Sequence, residues 1–481
     1  MSNSRNASVI SRCTRLVASL SFATSIAIMA HAQVNEAGFK KLDTYFNEQL
    51  AKKKTPSAAV AVVQKGKVVY SKGFGMANLE DEVPAGPNTV YRIGSITKQF
   101  TATMIMQLVN EGKLKLDDPF ETILDNMPKA WKKATVKNLL NHTSGVKSYT
   151  EIKDLFTSDA MRPTTPAGII KKVEDAPLDF EPGTKWHYSN SGYELLGMII
   201  EKLDKRTYAE SLSARILTPL GMDHTYFVSE NKIVPHRAQG YSNTNKGFQH
   251  SQYLNMDWPY AAGSIESTVL DLAKWDEALY GDKVLPQDML EQMWTITKLT
   301  DGTPQQYGFG WQLNKMNGTP IVEHGGGIHG FTTFIRRCPK MGISVIVLTN
   351  SDSGGDPATL ARDAMGIVEP ALKAPEASPE GDKNPAMTKH AREILQSLLD
   401  GTLDRTTLTP EFAEKLTPER LATAKSQLTV LGKILKFEFV KEQEINTLNA
   451  RIYKVTFGPV ELTYALATDK DGKIGGLEIH Q

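Results

Sequence analysis

The sequence predicts an α+β fold in which strands from both ends of a long segment close one sheet, helices fill the interval, and a small α+β region follows. Three observations carry this. The runs Ala58–Val63 and Val68–Phe74 flank Lys65-Gly66-Lys67, a hairpin signal. A second strand pair, Phe331–Arg337 and Ile343–Thr349, flanks Pro339-Lys340-Met341-Gly342 far downstream. Between them the apolar positions change period: Ile96, Phe100, Met104, Ile105, Leu108 and Val109 share one helical face.

The elements follow in order. Residues 1–32 read as a signal peptide, because Arg5, Arg12 and Arg15 precede an apolar stretch from Leu16 to Ala30. Ala30-His31-Ala32 then offers small residues for cleavage. The expected location is therefore periplasmic or secreted, and no other stretch is long enough to span a bilayer. Phe39 to Ala51 reads as a helix, followed by the first hairpin and a long helix over Ser95–Gly112 that Gly112 stops. From Lys113 to Leu220 short helices and loops dominate, including Val136–Asn141, Ile169–Asp175 and Tyr193–Leu203. This is the helical insertion. The second strand pair ends a catalytic domain placed at 33–370. A Pro-, Ala- and Gly-rich linker at 371–386 separates it from a small accessory domain at 387–481. There Thr388–Leu399 and Pro410–Lys415 read as helices. Ile434–Phe439, Ala450–Phe457, Glu461–Ala467 and Ile474–His480 read as strands.

Composition excludes some classes. A formal net charge of +1 over 481 residues points to no nucleic-acid partner. Once the leader is removed, Cys338 is the one remaining cysteine, so no internal disulfide is available. His324 and His329 lack a third ligand at useful spacing, so no metal is expected. The chemistry below requires no cofactor.

Three motifs carry that chemistry. The first is Ser95-Ile96-Thr97-Lys98. Residues three apart on a helix lie on one face, so the Lys98 amine returns beside the Ser95 hydroxyl. A serine hydroxyl is a weak nucleophile until a base takes its proton, and a desolvated lysine can be that base. The second is Tyr188-Ser189-Asn190. A phenol near an ammonium can sit partly deprotonated and relay protons, and the Asn190 amide can both donate to and accept from a substrate. The same residues also read as a polar loop, with Ser189 or Asn190 capping the next helix. The third is His324-Gly325-Gly326-Gly327 at a strand. Its glycines let backbone approach a ligand, and its N–H groups suit an oxyanion hole. Read singly, it is equally a turn between strands.

Together, and in this order, the three motifs resemble those of the penicillin-recognising serine hydrolases. The similarity is to the branch holding class C β-lactamases, low-molecular-mass D-Ala-D-Ala carboxypeptidases, D-aminopeptidases and lactamase-fold esterases. Further matching stretches are Leu139–Gly145, Phe180–Gly183, Gly263-Ser264-Ile265, Tyr307–Trp311 and Glu323–Gly330, and the resemblance runs from about Asn35 to Asn350. It implies a β-lactamase/transpeptidase-like antiparallel sheet flanked by helices. It also implies Ser95 as nucleophile, Lys98 and Tyr188 as catalytic partners, and Asn190, His324, Gly326 and Gly327 as substrate-binding residues. The oxyanion hole falls to the N–H groups of Ser95 and Gly327. The third motif departs from the family's Lys-Thr-Gly form. His324 replaces a permanent cation with a group half-charged around pH 6.5, and Gly325 removes a hydroxyl that helps hold a substrate carboxylate. Weight shifts from efficient β-lactamase activity towards an esterase, a D-amino-acid amidase or peptidase, or a carboxypeptidase of altered specificity. The alternatives are a sensor that acylates on Ser95 without turnover, and a scaffold that keeps the fold as a relic.

Overall fold

The structure, a computed structural model, describes residues 37–52, 54–353, 355–373, 381–429, 432–445, 448–457 and 460–480. The leader expected at 1–32 lies outside them. Among the described residues, no helix is long and apolar enough to cross a membrane. Contacts divide the chain into two units after Lys373.

The first unit is built on a seven-stranded antiparallel sheet. Its strands are β1 (Ser57–Gln64), β2 (Lys67–Asn78), β3 (Val83–Pro84), β4 (Gln312–Met316), β5 (Thr319–Ile328), β6 (Phe331–Cys338) and β7 (Ile343–Thr349), and their order is β4-β5-β6-β7-β1-β2-β3. The two ends of the unit therefore meet at the β7–β1 pair, where Val60 faces Val347. The pleat explains why both strands are apolar throughout. Ala59, Ala61, Val63, Ile346 and Leu348 enter one core, while Ala58, Val60, Val62, Val345 and Val347 enter another. The smaller core is covered by α1 (residues 37–51), through Leu42 and Phe46, and by Pro357–Val368.

The larger core surrounds α2 (Thr97–Asn110). Every residue of α2 from Thr97 to Met106 is buried. A helix enclosed on all sides is a rigid post, and its N-terminal end presents Ser95 at the rim of the sheet. The helix expected to begin at Tyr193 begins at Asn190; this is α3 (Asn190–Asp204). Ser189 caps it, its hydroxyl accepting the Gly192 N–H at 3.3 Å.

In the second unit the helices are Pro385–Asp400, Pro410–Lys415 and Pro418–Thr429. The strands Ile434–Ile445, Leu448–Phe457, Val460–Thr468 and Ile474–His480 pair antiparallel in sequence order. Leu395, Leu398, Tyr453, Val455, Tyr464 and Leu466 form its core.

Candidate active site

Ser95 sits in a one-turn 3-10 segment, Gly94–Ile96, that leads into α2. Gly94 takes φ +52°, a left-handed conformation that favours glycine. The turn is pressed against β5: a Cβ on Gly94 would lie 2.9 Å from the Gly327 nitrogen. A β-carbon on Gly327 would meet nothing within 4 Å, and this glycine lines the cleft beside Ser95. Strand and helix end thus bring two backbone segments together at one point.

Lys98 is fully buried. Its Nζ lies 3.1 Å from Ser95 Oγ, 2.8 Å from Asn190 Oδ1 and 2.9 Å from the carbonyl of Ala262. A neutral amine has two N–H donors and one lone pair. It can therefore donate to the amide oxygen and the carbonyl while accepting the Ser95 proton. Burial brings the amine down to about 7, and the Glu194 carboxyl pulls the other way. Glu194, one turn along α3 from Asn190, is itself buried without a hydrogen-bond partner among the described residues, and burial raises it far above the usual carboxylate range.

The Tyr188 ring lies 4.7 Å from Lys98 Nζ. Its phenol was expected to be partly deprotonated. Burial instead holds the proton on, outweighing a hydrogen bond with Ser95 that favours its loss. Tyr188 is a phenol here.

Two of the residues expected at the substrate do not line the cleft. His324 is buried, with Nδ1 2.7 Å from the Gly325 carbonyl and Nε2 2.8 Å from the Tyr307 hydroxyl. Donating at Nδ1 and accepting at Nε2 satisfies a neutral ring. Burial, joined by the Lys98 charge and opposed by the Gly325 bond, brings it down to about 3. The expected half-charged group near pH 6.5 is absent because the pleat turns this side chain inward. Gly326 points the same way as a packing residue, since a Cβ there would lie 1.9 Å from the Ile93 carbonyl oxygen.

The cleft itself is walled by Phe156, Leu254, Trp258, Pro259 and Ile328 together with the polar Thr150, Asn190 and His329, and among the described residues no Asp, Glu, Lys or Arg lines it. The Tyr149 hydroxyl donates to the Trp258 carbonyl at 2.8 Å, and Trp258 Nε1 donates to the Arg162 carbonyl at 2.9 Å, so these rings present apolar faces. Thr150 and the Ala262 carbonyl belong to the site although the three motifs did not single them out, while Tyr307, from a stretch the resemblance included, packs behind it on His324. At the rim, Glu151, Asp179 and His187 cluster. The two acids face opposite ring nitrogens, at 3.1 and 3.7 Å, and Lys147 lies within 3.8 Å of both, which makes the group an ion-pair network.

The Beta-lactamase family description matches residues 42–369. The chain belongs to this family. It is 30% identical over 320 residues to Protein flp of Staphylococcus aureus (strain COL), a match covering 65% of this chain and 63% of that protein. The chain thus spans less than two thirds of that relative. The octameric penicillin-binding protein homologue from Pyrococcus abyssi superposes with a TM-score of 0.60 at 26% identity, over 90% of this chain and 94% of that one. The D-amino acid amidase from Ochrobactrum anthropi SV3 gives a TM-score of 0.60 at 26% identity, over 71% and 98%. The family is one of β-lactamase-fold serine hydrolases, and the antiparallel sheet flanked by helices is its fold.

Proposed function

We propose that this protein is a serine hydrolase acting through an acyl-enzyme on Ser95. The observation that carries the reading is the trio of neutral contacts around Lys98 Nζ, which leaves a lone pair for the Ser95 proton. As Ser95 Oγ bonds to the substrate carbonyl carbon, its proton moves to Lys98. The oxyanion develops towards the Ser95 and Gly327 N–H groups, a pair worth about 3 kcal/mol of barrier per donor. The tetrahedral adduct collapses, the bond to the leaving group breaks, and Tyr188 gives that group its proton and is reprotonated by Lys98, which returns to the free amine. Water, deprotonated by the same groups, then frees the acid. Asn190 holds Lys98 and reaches Thr150 Oγ1 at 3.2 Å, which supports a place beside the substrate.

The bonds that fit are esters and D-amino-acid amides or peptides, with β-lactams slower. The cleft supports this order, because among the described residues its lining has no Lys or Arg to hold a substrate carboxylate. The likeness to a D-amino acid amidase agrees. The basic-then-apolar start of the chain supports work outside the cytoplasm, which cell fractionation tests.

Intact mass after treatment with a fluorophosphonate, and separately with a penicillin, tests the reading. The expected result is a stable fluorophosphonate adduct and a transient penicillin adduct, both absent in Ser95→Ala. A lasting penicillin adduct would establish the sensor instead, and an unlabelled wild type would sink the serine mechanism.

A further inference from the structure

His142 takes no part in the steps above and does not line the cleft. It is buried in the loop after the helix Val136–Leu140, at φ +62°, a conformation uncommon for a residue with a β-carbon. Three contacts tie it to Tyr188 and its neighbours. The His142 carbonyl accepts the His187 N–H at 3.0 Å. Its Nδ1 accepts the Ser189 N–H at 3.2 Å. Its ring lies over the Tyr188 ring, with centroids 4.2 Å apart and planes tilted by 40°. The backbone bonds therefore fall on the residues either side of Tyr188, and the ring contact falls on Tyr188 itself. Tyr193 and Tyr307 enclose the imidazole further, at 5.2 and 4.7 Å.

An Nδ1 that accepts an N–H places the ring proton on Nε2, and Nε2 has no hydrogen-bond partner among the described residues. The ring is neutral: burial first, then the charge that Lys98 carries when protonated, depress it well below its ordinary value. It is a wedge and an acceptor, without proton chemistry of its own.

We propose that His142 is the positioning residue for Tyr188, clamping the backbone on both sides of the phenol and packing against its ring so that the hydroxyl stays aimed at Ser95. This rests on the reading of Tyr188 as proton donor to the leaving group. A small misplacement of a proton donor costs rate only where the proton is needed.

The test uses that selectivity. p-Nitrophenyl butyrate expels a leaving group that needs no proton, whereas ethyl butyrate expels one that does. His142→Asn keeps a side-chain acceptor near the Nδ1 position and removes the ring. The expected result is a loss of about tenfold or more in kcat/KM on the ethyl ester, with under about threefold on the p-nitrophenyl ester. His142→Phe keeps a ring and removes the acceptor, and should split the two esters in the same direction. Adding Tyr188→Phe to either variant should widen the split no further than Tyr188→Phe alone. An equal loss on both esters, or full additivity with Tyr188→Phe, would reduce His142 to a fold residue and overturn the proposal. Fluorophosphonate labelling of Ser95 in the same samples keeps the readings apart. Labelled variants with no split defeat only the role of His142, while an unlabelled wild type defeats the serine mechanism.

Discussion

Two buried basic side chains, Arg451 in the second unit and Lys98 in the first, are treated in opposite ways; Arg337 of the first unit, paired with Asp276, is handled like Arg451. Arg451, in the second unit, meets two acids: Glu442 at 2.5 Å and Asp382. It also donates to the Tyr453 hydroxyl at 2.9 Å and lies 4.3 Å over the Phe439 ring. Lys98, in the first unit, meets a hydroxyl, an amide oxygen and a peptide carbonyl, all neutral. Its acidic neighbour Glu194 is itself driven towards the neutral form. A buried charge matched by carboxylates is held as a charge and ties strands and loops together. A buried amine offered only neutral acceptors is free to lose its proton, which is what a base must do.

The contrast can be broken most sharply with pH. Lys98 accepts a proton only as the free amine. Acylation by p-nitrophenyl butyrate should therefore climb as pH rises through about 7, and fall about tenfold per unit below it. His324→Asn should leave that limb in place, because burial holds the ring neutral down to about 3. Loss of the limb in this variant would return the titration to the histidine.

A smaller effect is expected at the backbone junction. The methyl of Gly326→Ala would collide with the Ile93 carbonyl, so β5 must retreat from the Ser95 turn. We expect kcat to drop by on the order of tenfold to a hundredfold, as for a weakened oxyanion donor, with a lower melting temperature. Unchanged kinetics would mean that the two segments are not coupled.

The smallest effect on rate belongs to the second unit. Arg451→Met leaves Asp382 and Glu442 unmatched and should cost about 2 kcal/mol of that unit's stability, read by chemical denaturation. Hydrolysis of p-nitrophenyl butyrate should be unaltered. A matching loss of activity would show that Arg451 is more than a tie.

Legibility in the sequence varied from residue to residue. The Ser95–Lys98 pair was readable because helical spacing alone brings the two together. In Tyr188-Ser189-Asn190, Ser189 caps α3, as the loop reading expected, while Asn190 Oδ1 lies 2.8 Å from Lys98 Nζ. The closing of the sheet by both ends of the unit followed from two apolar strand pairs. The helix Pro418–Thr429 escaped notice because its short apolar repeat is interrupted by Thr, Ser, Lys and Gln. His324 and Gly326 were assigned to the substrate by position in a motif, yet the pleat faces one inward and presses the other on Ile93.

By itself the amino-acid order determined which chemical groups this protein owns and which of them must be neighbours, since helical and strand periods are local properties of the chain. Only the tertiary structure decided their charge. Whether Lys98 is an amine, Tyr188 a phenol and His324 a neutral ring depends on how much water is excluded and which groups face them across the fold. Those neighbours come from segments that adjacency in the chain does not connect.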